Sequence, residues 1–191
     1  MSFATSLVSY FLMLSQLGIP TYGIRACAKV RDDRRKLSRV VHELMAINLV
    51  MSLLSYLALG IFVFAIPRLR AESSLIFIIS LTILLNAVGM EWLYKALEQY
   101  TYITIRSVIF KAIAVVAMLL LIRQQSDYVV YGALTILAAS ASNVCNFVHA
   151  HTYIDLFPEE KYNYRQHMKP ILVFFAMSCA TVIYTNLDTV M

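Results

Sequence analysis

Six apolar stretches, at about 3–19, 44–66, 75–94, 103–122, 128–150 and 170–191, constrain this chain more than any other feature. Each is close to the roughly 20 helical residues that cross a hydrocarbon core. An unpaired backbone amide or carbonyl is costly in lipid, so such runs must be helices or closed-barrel strands. Barrel strands would be about half as long and would alternate in polarity. The chain is therefore expected to be all-α, a polytopic membrane bundle of about six transmembrane helices in a single domain over 1–191. Composition agrees. Of the 191 residues, 60% are apolar and 14% charged, with a mean hydropathy of +0.71. Soluble domains run near 45–50% and about 25%, and disordered or collagen-like chains are further off still.

The formal charge is +5. Because the Lys and Arg side chains gather between the apolar runs, the tendency of basic residues to stay cytoplasmic accounts for them, and no nucleic-acid partner is expected. The 21–43 connection holds Arg25, Lys29, Arg31, Arg34, Arg35, Lys36 and Arg39. Lys95 and Arg106 flank the next basic connection, and Lys161, Arg165 and Lys169 mark the third. The intervening turns hold only Arg68, Arg70 and Arg123. The first three connections are thus expected in the cytoplasm and both chain ends outside. Pro67, Pro158 and Pro170 are expected at helix edges or in loops. Asp32 and Asp33 suit caps for an amphipathic lead-in to the second helix, and Gly18, Pro20 and Gly23 mark where the first helix kinks or ends. With no basic leader before the first run and no basic stop after the last, both ends read as cut from a longer, transporter-like chain.

Glu91, Arg106, Lys111 and Asp188 lie within or at the edges of the runs, as do Asn86, Asn143, Asn146 and Asn186. A charge at the bilayer centre costs at least about 2.5–3.5 kcal/mol, so such residues face a bundle interior or a wet cavity. Glu91 and Lys95 are spaced i,i+4 and can pair on one face. That pair, like Arg106, fits either a snorkelling group at the interface or the polar interior. Lys111 lies five residues deeper than Arg106, about 7.5 Å along the axis, and reads as cavity-lining. Arg25 either lines the cytoplasmic mouth or simply follows the charge rule. His149 and His151 suit an interfacial pair better than a metal site. Cys27, Cys145 and Cys179 form neither a disulfide framework nor a metal knuckle and read as apolar fillers. No Gly-rich phosphate loop, HExxH or GxSxG occurs, so no cofactor, metal or enzymatic activity is expected. Trp92, Tyr94, Tyr100 and Tyr102 read as an interfacial belt, and AASASN at 138–143 as a close helix contact.

The strings LGIPTYGIR (17–25), EWLYKALEQYTYITIRSVIFK (91–111), DYVVY (127–131) and NLDTVM (186–191) resemble Wzx-type polysaccharide and O-antigen unit flippases. These belong to the multidrug/oligosaccharidyl-lipid/polysaccharide exporter superfamily. The resemblance covers nearly the whole chain, and the first two strings together are fairly specific. It implies two lobes of helices, of which this chain is similar to helices two to seven, in the bacterial inner membrane. It implies translocation of undecaprenyl-pyrophosphate-linked oligosaccharide units to the outer leaflet during surface polysaccharide and lipopolysaccharide biosynthesis. The implied partners are the lipid-linked oligosaccharide, membrane lipids, the missing second lobe and a polysaccharide polymerase. On this resemblance Arg25, Arg106 and Lys111 would bind the anionic linkage, while Glu91 and Asp188 would balance charge or couple to an ion gradient. Rocking of the lobes would alternate access. Three alternatives stand beside it. A cation-coupled drug or small-molecule antiporter of the same superfamily needs acidic residues to dominate the cavity. A membrane enzyme needs catalytic groups gathered in a large polar loop. A truncated, non-functional fragment needs neither.

Overall fold

The structure, a computed structural model, describes residues 2–66, 73–121, 128–155 and 162–190, without the side chains of 2–6, 73–75, 128–133, 135, 137–140 and 182–190. Pro67, Arg68, Arg70, Arg123, Pro158, Lys161 and the side chains of Asn186 and Asp188 lie outside the described residues. All the regular structure described is helical: α1 Ser2–Gln16, α2 Ile19–Ala28, α3 Arg34–Ala65, α4 Ser73–Gly89, α5 Glu91–Ala96, α6 Tyr100–Leu121, α7 Tyr128–Ala150 and α8 Arg165–Val190. Among the described residues, the stretches Leu7–Ala28, Arg34–Ala65, Ile76–Ala96 and Tyr100–Leu121 are long and apolar enough to cross a membrane. The protein is an all-α membrane bundle.

The 21–43 connection is not a loop. Only residues 29–33 separate α2 from α3, because the sequence between Arg34 and Glu43 continues the helix with Leu37, Val41 and Leu44 on one buried stripe. Asp33 starts α3, its carboxylate accepting from the amides of Arg35 (3.1 Å) and Lys36 (3.2 Å). Asp32 is exposed and does not cap. Pro170 likewise departs from expectation and sits inside α8.

Two of the expected helices are broken. The first resumes beyond Leu17 and Gly18, whose φ values are +44° and +73°. Gly18 is required there twice over, because a Cβ would lie 2.6 Å from the Phe175 amide nitrogen where α8 crosses. The third helix breaks at Met90, φ +42°, between α4 and α5.

Packing follows from these breaks. α4 lies against α7, α1 and α3, while α2 touches α5, α3 and α8. One core cluster, with Val8, Leu59, Val63, Ile76 and Ile83, holds α1, α3 and α4 together. The other surrounds the breaks with Ile19, Leu44, Met90, Leu93 and Ile171. Trp92 and Tyr94 belong to this buried end rather than to an interfacial belt, because α5 folds inward after Met90. Tyr100 alone of the four aromatics is strongly exposed. The basic connections cluster at this same end, where Arg31 pairs with Glu98 and Arg34 with Asp155, each at 2.9 Å.

Candidate functional site: a basic groove and a polar cavity at two helix breaks

A broken helix leaves carbonyls without partners, and in lipid only protein groups can supply them. Asparagines do so here. Asn48 of α3 donates to the Ala87 carbonyl (3.2 Å) and Asn146 of α7 to the Gly89 carbonyl (2.7 Å), both at the end of α4. Asn143 donates to Asn86 Oδ1 (3.2 Å), and its amide rests on Gly89, where a Cβ would come within 2.5 Å. Asn146 also accepts from Tyr94 through its carbonyl (2.6 Å) and from Arg106 through Oδ1. The α4–α5 break is therefore held by side chains of α3 and α7.

A cavity of about 190 Å³ lies between the two breaks. Gln16, Ile19 and Pro20 border it on one side, Gly89 and Glu91 on the other, and Asn48, Asn86, Trp92, Lys95 and Asn143 complete the lining. Glu91 and Lys95 are paired at 2.8 Å and both half-buried.

Nearer the chain's basic connections, α2, α3 and α8 enclose a larger groove of about 690 Å³. Its walls are mainly apolar, with Val40, Pro170 and Phe174, and they carry Arg25, Lys29 and His167. The Arg25 guanidinium stands 5.0 Å from the centre of the Phe174 ring.

Behind the groove lies a buried carboxylate that the sequence does not single out. Glu43 of α3 has no exposed side-chain surface and receives Arg39 Nε (3.1 Å), Gln166 Nε2 (2.9 Å), His167 Nε2 (2.6 Å) and the Asn163 amide. Since the carboxylate accepts, His167 Nε2 carries a hydrogen, and Nδ1 shares a hydrogen bond with the Tyr22 hydroxyl at 2.8 Å. The only sequence signal was a carboxylate at the edge of an apolar run, which needs a partner to be buried.

The sequence-predicted residues are not gathered at one place. Arg25 lies in the groove and Glu91 in the cavity. Arg106 is turned into the seam between α6 and α7, 7% exposed and 5.7 Å from the Tyr102 ring. Lys111 is exposed on the outer side of α6. Five residues of helix rotate a side chain by well over a right angle, which separates the two cations. His149 stacks on Tyr102 at 4.5 Å, His151 is exposed, and Cys27 is buried while Cys145 is exposed.

Two helix breaks, one of them held by asparagine side chains, border a polar cavity and a cationic groove and define a polytopic helical membrane protein with an internal polar site. The whole chain, residues 1–191, matches the model of a family described as polysaccharide biosynthesis protein, and the protein belongs to that family. No curated protein and no solved structure matches it.

Proposed function

We propose that this protein moves lipid-linked sugar units across a bilayer and that the groove of α2, α3 and α8 holds their anionic linkage. The observation that carries this reading is the placing of Arg25 and Lys29 on walls that are mainly apolar. A prenyl-linked diphosphate combines concentrated negative charge with a hydrocarbon chain, and both parts find a matching surface in such a groove. Hydrogen bonds from such cations to phosphate are charge-assisted and stronger than neutral ones. The groove's volume falls within the range of about 300–1,000 Å³ usual for ligand sites. A cationic drug would meet repulsion from Arg25 and Lys29, and Glu43 has its oxygens already taken by donors. On this reading the protein is a carrier in the bacterial inner membrane, with the groove facing the cytoplasm, and catalyses no covalent step.

Calorimetric titration with farnesyl diphosphate tests the groove, with farnesol and inorganic diphosphate as controls. The diphosphate-bearing lipid should bind best of the three. Arg25→Ala with Lys29→Ala removes two charge-assisted contacts worth about 1.5–3 kcal/mol each, so affinity should fall at least about tenfold. Equal binding by the double variant rejects the groove as the anion site. Translocation is read in proteoliposomes with a fluorescent lipid-linked saccharide, and no transfer above protein-free vesicles rejects the carrier.

A further inference from the structure

A crevice of about 380 Å³ lies between α3 and the start of α8 and shares no lining residue with the groove. Ala46, Ile47, Val50 and Met51 form one wall, Tyr164 and Met168 the other, so the Tyr164 hydroxyl is its only polar side-chain group. Val50, Tyr164 and Met168 are 57%, 43% and 42% exposed, which means that the crevice opens on the outside of the bundle.

The length of α3 fixes the depth of this opening. Its 32 residues extend about 48 Å, whereas a hydrocarbon core is about 30 Å thick. Residues 44–65 fill that thickness by themselves, at about 33 Å, and leave the turns of 34–43 among the headgroups. Residues 46–51 are then the first turns inside hydrocarbon. The start of α8 agrees with this depth. Tyr162 and Tyr164, exposed and stacked at 5.9 Å, suit the headgroup boundary, and beyond Lys169 the exposed residues Leu172 and Val173 are apolar. Arg165 and Lys169 are exposed and stand next to Tyr164 and Met168 in the chain, and neither has an acidic partner among the described residues. They are spaced i,i+4, where like charges repel. A phosphate between them removes that repulsion and accepts a charge-assisted bond from each. An apolar slot inside hydrocarbon with two cations at its polar edge matches a phospholipid of net negative charge, as basic pockets between transmembrane helices do.

We propose that one anionic phospholipid is seated here, with an acyl chain between α3 and α8 and its phosphate between Arg165 and Lys169. The site is separate from the groove and does not rest on the function proposed above.

Native mass spectrometry of the delipidated full chain, released from detergent micelles, tests it with dioleoylphosphatidylglycerol, dioleoylphosphatidylethanolamine and farnesyl diphosphate. Phosphatidylglycerol should bind at one per chain, with a midpoint at least about tenfold below that of phosphatidylethanolamine, whose ammonium meets the same two cations. Arg165→Ala with Lys169→Ala should raise the phosphatidylglycerol midpoint about tenfold or more and bring the two phospholipids level. Val50→Trp, which fills the crevice from an exposed position, should weaken the binding of both. Equal midpoints in the parent, or a phosphatidylglycerol midpoint unmoved by either variant, overturn the proposal. Displacement of phosphatidylglycerol by farnesyl diphosphate at a similar concentration overturns it too, by giving the crevice to the transported lipid. So does a dimer of the parent that Val50→Trp dissolves, which would put a second copy on this face. Phosphatidylglycerol bound as expected while farnesyl diphosphate does not bind at all would sink only the proposed function.

Discussion

Glu43 sits among Arg39, His167, Gln166 and the Asn163 amide with no contact to solvent, and it ties α3 to α8. The desolvation of such a group is offset only while all its partners are in place. Glu43→Ala leaves Arg39 and His167 facing an empty site, and loss of one member of a buried pair costs about 3–5 kcal/mol. Thermal unfolding in micelles should therefore show Glu43→Ala as the less stable protein by a wide margin, with Glu43→Gln between it and the parent. The outcome that contradicts this role is a melting temperature unchanged in both. Arg39 stands at the local i,i+4 spacing, but His167 could not be read as a partner, because 124 residues separate it from Glu43. Arg25 shows the converse: its charge and its place after Gly18, Pro20 and Gly23 marked it from the sequence, and only Phe174 and Lys29 beside it show what surrounds it.

At the scale of elements, the two breaks decide where polar groups can lie. Gly18→Ala puts a Cβ at a φ of +73° and 2.6 Å from the α8 backbone, so the α1–α2 corner must open and α8 must shift. Strain of this kind costs about 1–3 kcal/mol before any clash is counted. The expected result is a lowered melting temperature together with weaker farnesyl diphosphate binding, since α8 carries Phe174 and His167 of the groove. The start of α3 responds to acid instead. The Lys36 side chain bonded to Asp33 holds its carboxyl below the usual carboxylate range. A group with a lowered folded value contributes fully above its unfolded value and loses that contribution as pH falls through the folded one. Hydrogen-exchange protection of the Arg35 and Lys36 amides should therefore drop on acidification below the ordinary carboxylate range. Asp33→Asn should abolish that dependence while keeping most of the cap. Protection that is flat with pH in the parent would show that Asp33 does not hold the helix start.

Across the whole molecule the outer faces are apolar, most of all on α6, where Val108, Ile113, Val116 and Leu119 are all more than half exposed. A bilayer covers such faces. In a variant with Cys27, Cys145 and Cys179 replaced, a cysteine at Val116 should react slowly with a membrane-impermeant maleimide in native membranes, and one at Lys29 quickly from one side. Equal rates at the two positions would show that α6 is not in lipid. The all-α membrane class was readable because each apolar run satisfies its own backbone and needs only lipid around it, a property of composition and length. The amides Asn86, Asn143 and Asn146 stand out in the sequence for a related reason, as polar groups out of place in hydrocarbon. The breaks at Leu17–Gly18 and Met90 belong to another class of information. Met90 adopts a left-handed backbone that its side chain does not favour, and it is held there by Asn48 and Asn146 reaching the last carbonyls of α4. The separation of Arg106 from Lys111, the burial of Trp92 and the closing of Glu43 against His167 likewise depend on which helix lies beside which. The sequence by itself determined a helical membrane bundle with polar side chains inside it, because burial of apolar length is local. Tertiary structure alone decided where those side chains meet, because their partners come from helices distant in the chain.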